Sequence, residues 1–306
     1  MIEKKYISST NKELIGIVKE IYDDIYSRFR EQYIVVFLCG GASNSRHISL
    51  RDKVRVLLEN EKRSLYNKPL KIFYPEDLLI EVLNKTKDAD LLSYEQFLAD
   101  NSHIISVICE SAGSLVELGA FTNNNQTVDK VIAAVDKKRV KDKSFIMLGP
   151  VRYLKKRSKN NVVEYGQNIE DFARQLSKAI REKNKRNGEK KIRITTIIGM
   201  HYFIHLLLYF FKRLSSIEMV DIIKCISEGE GINYDNFDVL FKAALKLLFQ
   251  DKKIVKITEN NYSFYELTNE GCKSIKYMIN DCTGTGLSDY IRVELMYYEF
   301  YKSPHS

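Results

Sequence analysis

The stretch Ile104 to Phe121, IISVICESAGSLVELGAF, constrains the fold of this chain more than any other. Ile104 to Ile108 is a short apolar run with the length and β-branched content of a buried strand. Cys109, Glu110, Ser111, Ala112 and Gly113 follow as a small-residue loop with one carboxylate, and a helix is expected from Ser114 with Glu117 in its first turn. A strand that feeds a helix N-terminus through such a loop is how open α/β sheets build ligand sites. A first-turn carboxylate sits in the positive end of the helix dipole and should stay ionised. Beside an oxygen-rich pocket it suits attack on a sugar's anomeric carbon, or stabilisation of positive charge there. The same letters also spell a capping box, Ser114-x-x-Glu117, in which Glu117 merely returns to the backbone of Ser114.

Four further runs repeat the pattern. Tyr33 to Leu38 (YIVVFL) reads as a first strand, ending in Cys39, Gly40, Gly41, Ala42 and Ser43. Paired glycines after a strand let backbone N–H groups approach a phosphate or ribose. Leu70 to Tyr74 is a second strand, with Pro75 placed to start a helix and Glu76 and Asp77 in its first turn. Those two acids either complement the dipole or hold ribose hydroxyls. Val131 to Val135 and Val162 to Tyr165 supply the fourth and fifth strands, and Gly149-Pro150 marks a turn between them. Helical periodicity falls at Asn11 to Arg30, Ser49 to Glu61, around Leu92 to Asp100, and at Ile169 to Arg186. Strands alternating with helices imply a flavodoxin-like, doubly wound parallel sheet. A strand order 2-1-3-4-5 would put the loops after the first and third strands on either side of one crevice.

At 306 residues two domains are the natural reading, with residues 1–188 as the sheet domain and 189–306 as a second, mostly helical one. The five cysteines (Cys39, Cys109, Cys225, Cys272, Cys282) contain no C-x-x-C pair. That favours free thiols in a reducing cytoplasm over a disulfide framework or a zinc site. No metal site is expected: His201 and His205 are four apart on one apolar run, without the carboxylate of H-E-x-x-H. That run, Thr195 to Phe211, is short for a membrane span and reads as a buried helix, and no signal peptide opens the chain.

The net charge of +8 is concentrated: Lys137 to Lys191 holds 18 Lys and Arg against 6 Asp and Glu, including Lys155, Lys156 and Arg157. Successive basic runs point to a phosphate-bearing partner, although any one of them could be a solvated face. From Lys190 onward 15 basic residues meet 14 acidic ones. There the order reads Ile217 to Ser227 helix, Glu228 to Asn233 turn, Asp235 to Gln250 helix, strands Lys253 to Thr258 and Tyr262 to Leu267, and a helix from Thr268. This is the element order of a winged helix. Its second helix is too weakly basic for sequence-specific duplex reading, and an assembly module or a weak nucleic-acid clamp fits as well. A tyrosine-rich helix, Leu287 to Tyr301, ends the chain.

FLCGG (Phe37 to Gly41), IFYPEDL (Ile72 to Leu78), CESAGSLVELGAF (Cys109 to Phe121) and GPVRYLKK (Gly149 to Lys156) together resemble the effector family of bacterial retrons. The resemblance covers most of the chain, by motif in the first part and by architecture in the second. It implies a nucleoside 2-deoxyribosyltransferase-like N-glycosidase domain joined to a winged-helix region. It also implies partners, a retron reverse transcriptase and its multicopy single-stranded DNA (msDNA), and an oligomeric complex in anti-phage defence. NAD, or another nucleoside or nucleotide, would be a substrate rather than a cofactor. The Glu of ELGAF, here Glu117, would be the catalytic group. Substrate would be lined by Cys39, Gly40, Gly41, Tyr74, Glu76, Asp77, Glu110, Ser111, Gly113 and Ser114. The loop Ala42 to His47 departs from the recognisable pattern, which leaves contacts there open. The alternative from another class is a non-catalytic nucleotide sensor attached to a DNA-binding regulator.

Overall fold

The structure is a computed structural model and describes residues 12–61, 68–77, 99–188, 191–227, 237–259 and 262–302. Residues 92–98 and 228–233, both named above, lie outside that set, as do residues 260–261 between the last two expected strands. The chain forms two compact units, Tyr33–Lys191, and Met1–Gln32 together with Ile192–Ser306. The sequence reading assigns residues 1–188 to one domain; the N-terminal helix instead groups with the C-terminal region.

The reason is aromatic packing. Helix α1 (Lys12–Glu20) continues through a π-helical turn at Ile21–Tyr26 into α2 (Ser27–Gln32). The rings of Tyr22 and Tyr26 lie 5.7 and 5.3 Å from Phe203, within the apolar run of the C-terminal region.

The unit Tyr33–Lys191 is a five-stranded parallel sheet in the order β2-β1-β3-β4-β5. Its strands are β1 (Ile34–Cys39), β2 (Leu70–Phe73), β3 (Ile104–Ile108), β4 (Val131–Asp136) and β5 (Val162–Tyr165). This is the flavodoxin-like doubly wound order, with its switch point between β1 and β3, where Cys39 is paired with Val107. β1 and β3 are buried along their whole length, as central strands covered on both faces must be. On one face Ile34, Val36, Leu38, Ile104, Ile108 and Ile132 pack with Val54 and Leu58 of α3 (Leu50–Glu59). Phe172, Leu176 and Ile180 of a long helix, Ile169–Arg186, complete that layer. Helix α4 (Ala112–Asn123) lies against β3 and β4.

Gly149-Pro150 does not turn the chain. The helix runs through it as a π-helical turn, Met147–Val151, and continues as α5 (Arg152–Arg157). A π turn tolerates proline because the i−4 hydrogen bond that proline cannot donate is already broken there. The long helix Ile169–Arg186, α6, starts at Asn168, whose side chain accepts the Asp171 N–H.

In the other unit the apolar run forms α7 (Ile197–Phe211), started by a Thr196 cap and buried from Ile197 to Phe210. His205 Nε2 lies 2.9 Å from the Gly271 carbonyl, so it carries the ring proton and serves packing. Helices α8 (Ser216–Ser227) and α9 (Phe237–Gln250) precede a hairpin of β7 (Ile254–Glu259) and β8 (Tyr262–Leu267). A short strand not expected from sequence, β6 (Arg213–Ser215), pairs with β8 and makes the sheet three-stranded. Helices α10 (Asn269–Thr283) and α11 (Thr285–Tyr297) follow, the last running on as a π-helical turn to Lys302. Among the described residues no helix is long and apolar enough to cross a membrane.

Candidate active site

The loops after β1 and β3 meet through one carboxylate. A three-residue turn, with the Glu110 N–H bonded to the Ile108 carbonyl at 2.8 Å, aims Glu110 back at β1. Its Oε1 accepts the N–H of Gly41 at 2.9 Å and of Arg51 at 3.1 Å, and its Oε2 accepts that of Leu50 at 3.1 Å. Leu50 and Arg51 are the first two residues of α3, so Glu110 occupies that helix's positive end. The Gly41 N–H is thus committed to Glu110 rather than open to a phosphate or ribose. The glycines are needed for a different close approach. A Cβ at Gly40 would come within 3.0 Å of both Arg51 Cβ and Glu110 Oε1, and one at Gly41 within 3.3 Å of Glu110 carbons.

Helix α3 supplies a polar cluster that the sequence reading does not single out. The buried Arg51 guanidinium lies 2.5 Å from the Glu76 carboxylate and 4.0 Å from the centre of the Tyr74 ring. Arg55 stands 4.6 Å from the same ring. Asp52 accepts hydrogen bonds from the Ser43 and Tyr74 hydroxyls and lies beside the N-cap serine, Ser49. Burial alone would raise its pKa; those hydrogen bonds and the Arg51 charge outweigh it and hold Asp52 below its usual range. Burial, with the Asp52 hydrogen bond, pushes the Tyr74 hydroxyl up to about 12. The signal available in the sequence is SLRDKVR, an arginine pair four apart at the start of the helix after the glycine loop.

Glu117 is the sixth residue of α4, not a first-turn residue. Ser111 rather than Ser114 is the N-cap: its Oγ accepts the Ser114 N–H at 3.2 Å, and the Ser114 Oγ accepts the Ser111 N–H at 3.1 Å. A serine at the third position thus does what a Glu or Gln usually does in a capping box. Two expectations change. The structural role for Glu117 falls away, and so does the dipole argument for a permanently ionised carboxylate. Burial raises the Glu117 pKa, the Glu76 carboxylate adds to the rise, Arg51 opposes it, and the result is about 7. Among the described residues Glu117 has no hydrogen-bond or ion-pair partner.

The other sequence candidates divide. Glu76 and Tyr74 join the cluster around Arg51, and Asp77 lies on the same turn, its N–H bonded to the Tyr74 carbonyl. Cys39 is only 1% exposed, and burial followed by the charges of Glu117 and Glu76 drives its thiol pKa well up, so it is floor rather than reactive thiol. The Ser111 and Ser114 hydroxyls are taken by the cap, and Gly113 lies exposed in the first turn of α4. On the basic helix, Lys155 pairs with Glu164 at 3.3 Å and Arg157 with Asp129. Lys156 and, one turn earlier, Arg152 are exposed with no partner among the described residues. Among the described residues no group of three or more His, Cys, Asp or Glu side chains could hold a metal ion.

The unit is thus of the open doubly wound α/β class, in which ligand sites, where present, lie at the C-terminal strand edge beside the switch point. Residues 47–256 match the STM3845 retron effector protein family, and the chain belongs to that family. It is 27% identical, over 316 aligned positions, to the Escherichia coli protein named "Retron Ec86 putative ribosyltransferase/DNA-binding protein", covering 97% of this chain and 94% of that one. It is 30% identical to the "Retron Ec73 putative ribosyltransferase/DNA-binding protein" of Escherichia coli over 129 positions, 41% of this chain and 39% of the relative.

Proposed function

We propose that this retron effector is an N-glycosidase that hydrolyses NAD to nicotinamide and ADP-ribose, with Glu117 as the reacting carboxylate. One observation carries the reading: a half-buried, unpartnered carboxylate stands beside the switch point, with its pKa near 7 and two flanking groups that tune it. In the ionised form Glu117 attacks the ribose anomeric carbon; the C–N bond breaks and its electron pair neutralises the pyridinium nitrogen. Nicotinamide then leaves without needing a proton. Water cleaves the glycosyl ester, returns the carboxylate and yields ADP-ribose and a proton. A neutral nucleoside would need a general acid for its base, whereas a cationic ring also favours the ionised form of Glu117. In this reading Glu76, Asp77 and Tyr74 hold the ribose hydroxyls.

The name "ribosyltransferase" on both relatives supports chemistry at an anomeric carbon, and family membership supports retron partners, a reverse transcriptase and its msDNA, that restrain or trigger the enzyme in the cytoplasm. The helix, helix, hairpin, helix order from α8 to α10, read as a winged helix, supports a module that couples such partners to the crevice. It equally supports the second reading, a nucleotide-sensing DNA-binding regulator without catalysis. Incubating the full chain with NAD, alone and with its reverse transcriptase and msDNA, separates them. Nicotinamide release that Glu117→Gln abolishes is expected; NAD left intact under both conditions would overturn the enzymatic reading.

A further inference from the structure

The opposite edge of the same sheet holds a cavity of about 510 Å³, within the range of small-molecule sites. It lies at the strand N-termini: His103 immediately precedes β3, Asp129 and Lys130 precede β4, and Asn184 and Asn187 come from the end of α6. Five residues of β3, roughly 16 Å, separate this edge from Glu110.

Its wall is unusual in composition. Asn125, Gln126, Asn184 and Asn187 all line it, the last with its Nδ2 already donating to the Asp129 carbonyl at 2.9 Å. Asn184 is only 5% exposed, yet its amide has no hydrogen-bond partner among the described residues. Its amide atoms are not fully buried, so this mostly enclosed side chain opens onto the cavity, a space large enough to hold a hydrogen-bonding partner. His103 Nδ1 accepts the Val35 N–H at 2.9 Å, which leaves Nε2 as the protonated nitrogen of the neutral ring. The charges on the wall do not favour an anion. Lys130 turns its ammonium to the carbonyls of Ala99 and Ser102, while Asp100 and Asp129 are acidic.

Amides offer a donor and an acceptor from one planar group, the pattern that reads the edge of a nucleobase. We propose that this cavity is a second ligand site for an uncharged nucleobase or nucleoside, with the Asn184 amide as its central hydrogen-bonding group. The site is distinct from the crevice at Glu117 and does not rest on the N-glycosidase reading.

Calorimetric titration of the full chain with adenosine, guanosine, cytidine and uridine, and with their free bases, tests it. Saturable binding of at least one probe is expected, weakened tenfold or more by Asn184→Ala and changed less than twofold by Glu117→Gln. The exposed rim variant Asn125→Ala/Gln126→Ala, which disturbs no core, should weaken the same probe at least threefold. No saturable binding at millimolar probe would overturn the proposal. So would binding that survives both amide variants, or that Glu117→Gln removes, since either result puts the probe elsewhere.

Discussion

The Arg51 guanidinium sits 2.5 Å from the Glu76 carboxylate, and these two opposite charges act on Glu117 in opposite senses. Glu76 raises the Glu117 pKa and Arg51 lowers it, so the pair is a tuning device for the third group. Removing Glu76 leaves burial opposed by Arg51 alone. Glu76→Gln should therefore move the acid limb of kcat/KM for nicotinamide release below its wild-type position near pH 7, which a pH–rate profile reads directly. Arg51 would lose the nearer of its two ion-pair partners and keep Asp52 at 3.7 Å, and because Glu76 is itself part exposed the stability loss should be about 1–2 kcal/mol. A limb that stays in place would show that Glu76 does not set the protonation of Glu117.

Glu117→Gln should abolish turnover and stabilise the protein at alkaline pH. A carboxylate whose pKa is raised on folding binds its proton more tightly in the folded state. Its contribution is thus favourable at low pH and is lost as pH rises from the unfolded value, about 4.5, to the folded value, about 7. Glutamine removes that loss. Chemical denaturation should give the variant an advantage of about 1–3 kcal/mol at about pH 8 that shrinks towards zero at about pH 4. A variant less stable than wild type under the alkaline condition would restore a structural role for Glu117.

Glu110→Gln tests the clamp between the two loops. A glutamine keeps one acceptor but turns an NH2 towards backbone donors that now share two carboxylate oxygens. The expected cost is about 2–3 kcal/mol, with faster hydrogen exchange at Gly41, Leu50 and Arg51. Unchanged protection at those three amides would contradict the clamp.

The sheet is legible from five apolar runs because a central parallel strand is apolar on both faces; alternation with helices implies a doubly wound sheet, and the structure selects the order 2-1-3-4-5 among the doubly wound ones. What escapes a sequence reading is set by tertiary geometry. Ser111 and Ser114 are equally good caps by type, and only the turn at Ile108–Glu110 fixes where α4 begins. Gly149-Pro150 reads as a turn by local preference but is carried by a π-helical turn. The commitment of Gly41 to Glu110 joins residues 69 positions apart, which no local spacing announces. The electrostatics of Glu117 are likewise invisible in its helix, since its burial and its neighbour Glu76 depend on the fold.

The basic helix offers the last test, of partner binding. From Lys137 to Lys159 ten Lys and Arg face one Asp, and Phe145 and Leu148 are exposed among them at 86% and 51%. Exposed rings between cations suit single-stranded nucleic acid, which binds by stacking and by phosphate contact. The sequence reading favours Lys155, Lys156 and Arg157, but two of these are already paired to Glu164 and Asp129. Arg152 and Lys156 have no such partner among the described residues, so they should carry the phosphate contacts. Arg152→Glu/Lys156→Glu should weaken single-stranded DNA binding at least tenfold at moderate salt. The slope of log affinity against log salt should fall by about 1.4, from roughly 0.7 for each phosphate that is no longer neutralised. Lys155→Ala/Arg157→Ala should change affinity far less and act on folding stability instead, since it breaks two surface ion pairs of small individual worth. Phe145→Ala should weaken binding without altering the salt slope, because stacking releases no counterions. Equal losses of affinity from the Arg152/Lys156 and Lys155/Arg157 variants would mean that the intramolecular pairs open on binding, and an unchanged slope in the first would make this face a solvated one.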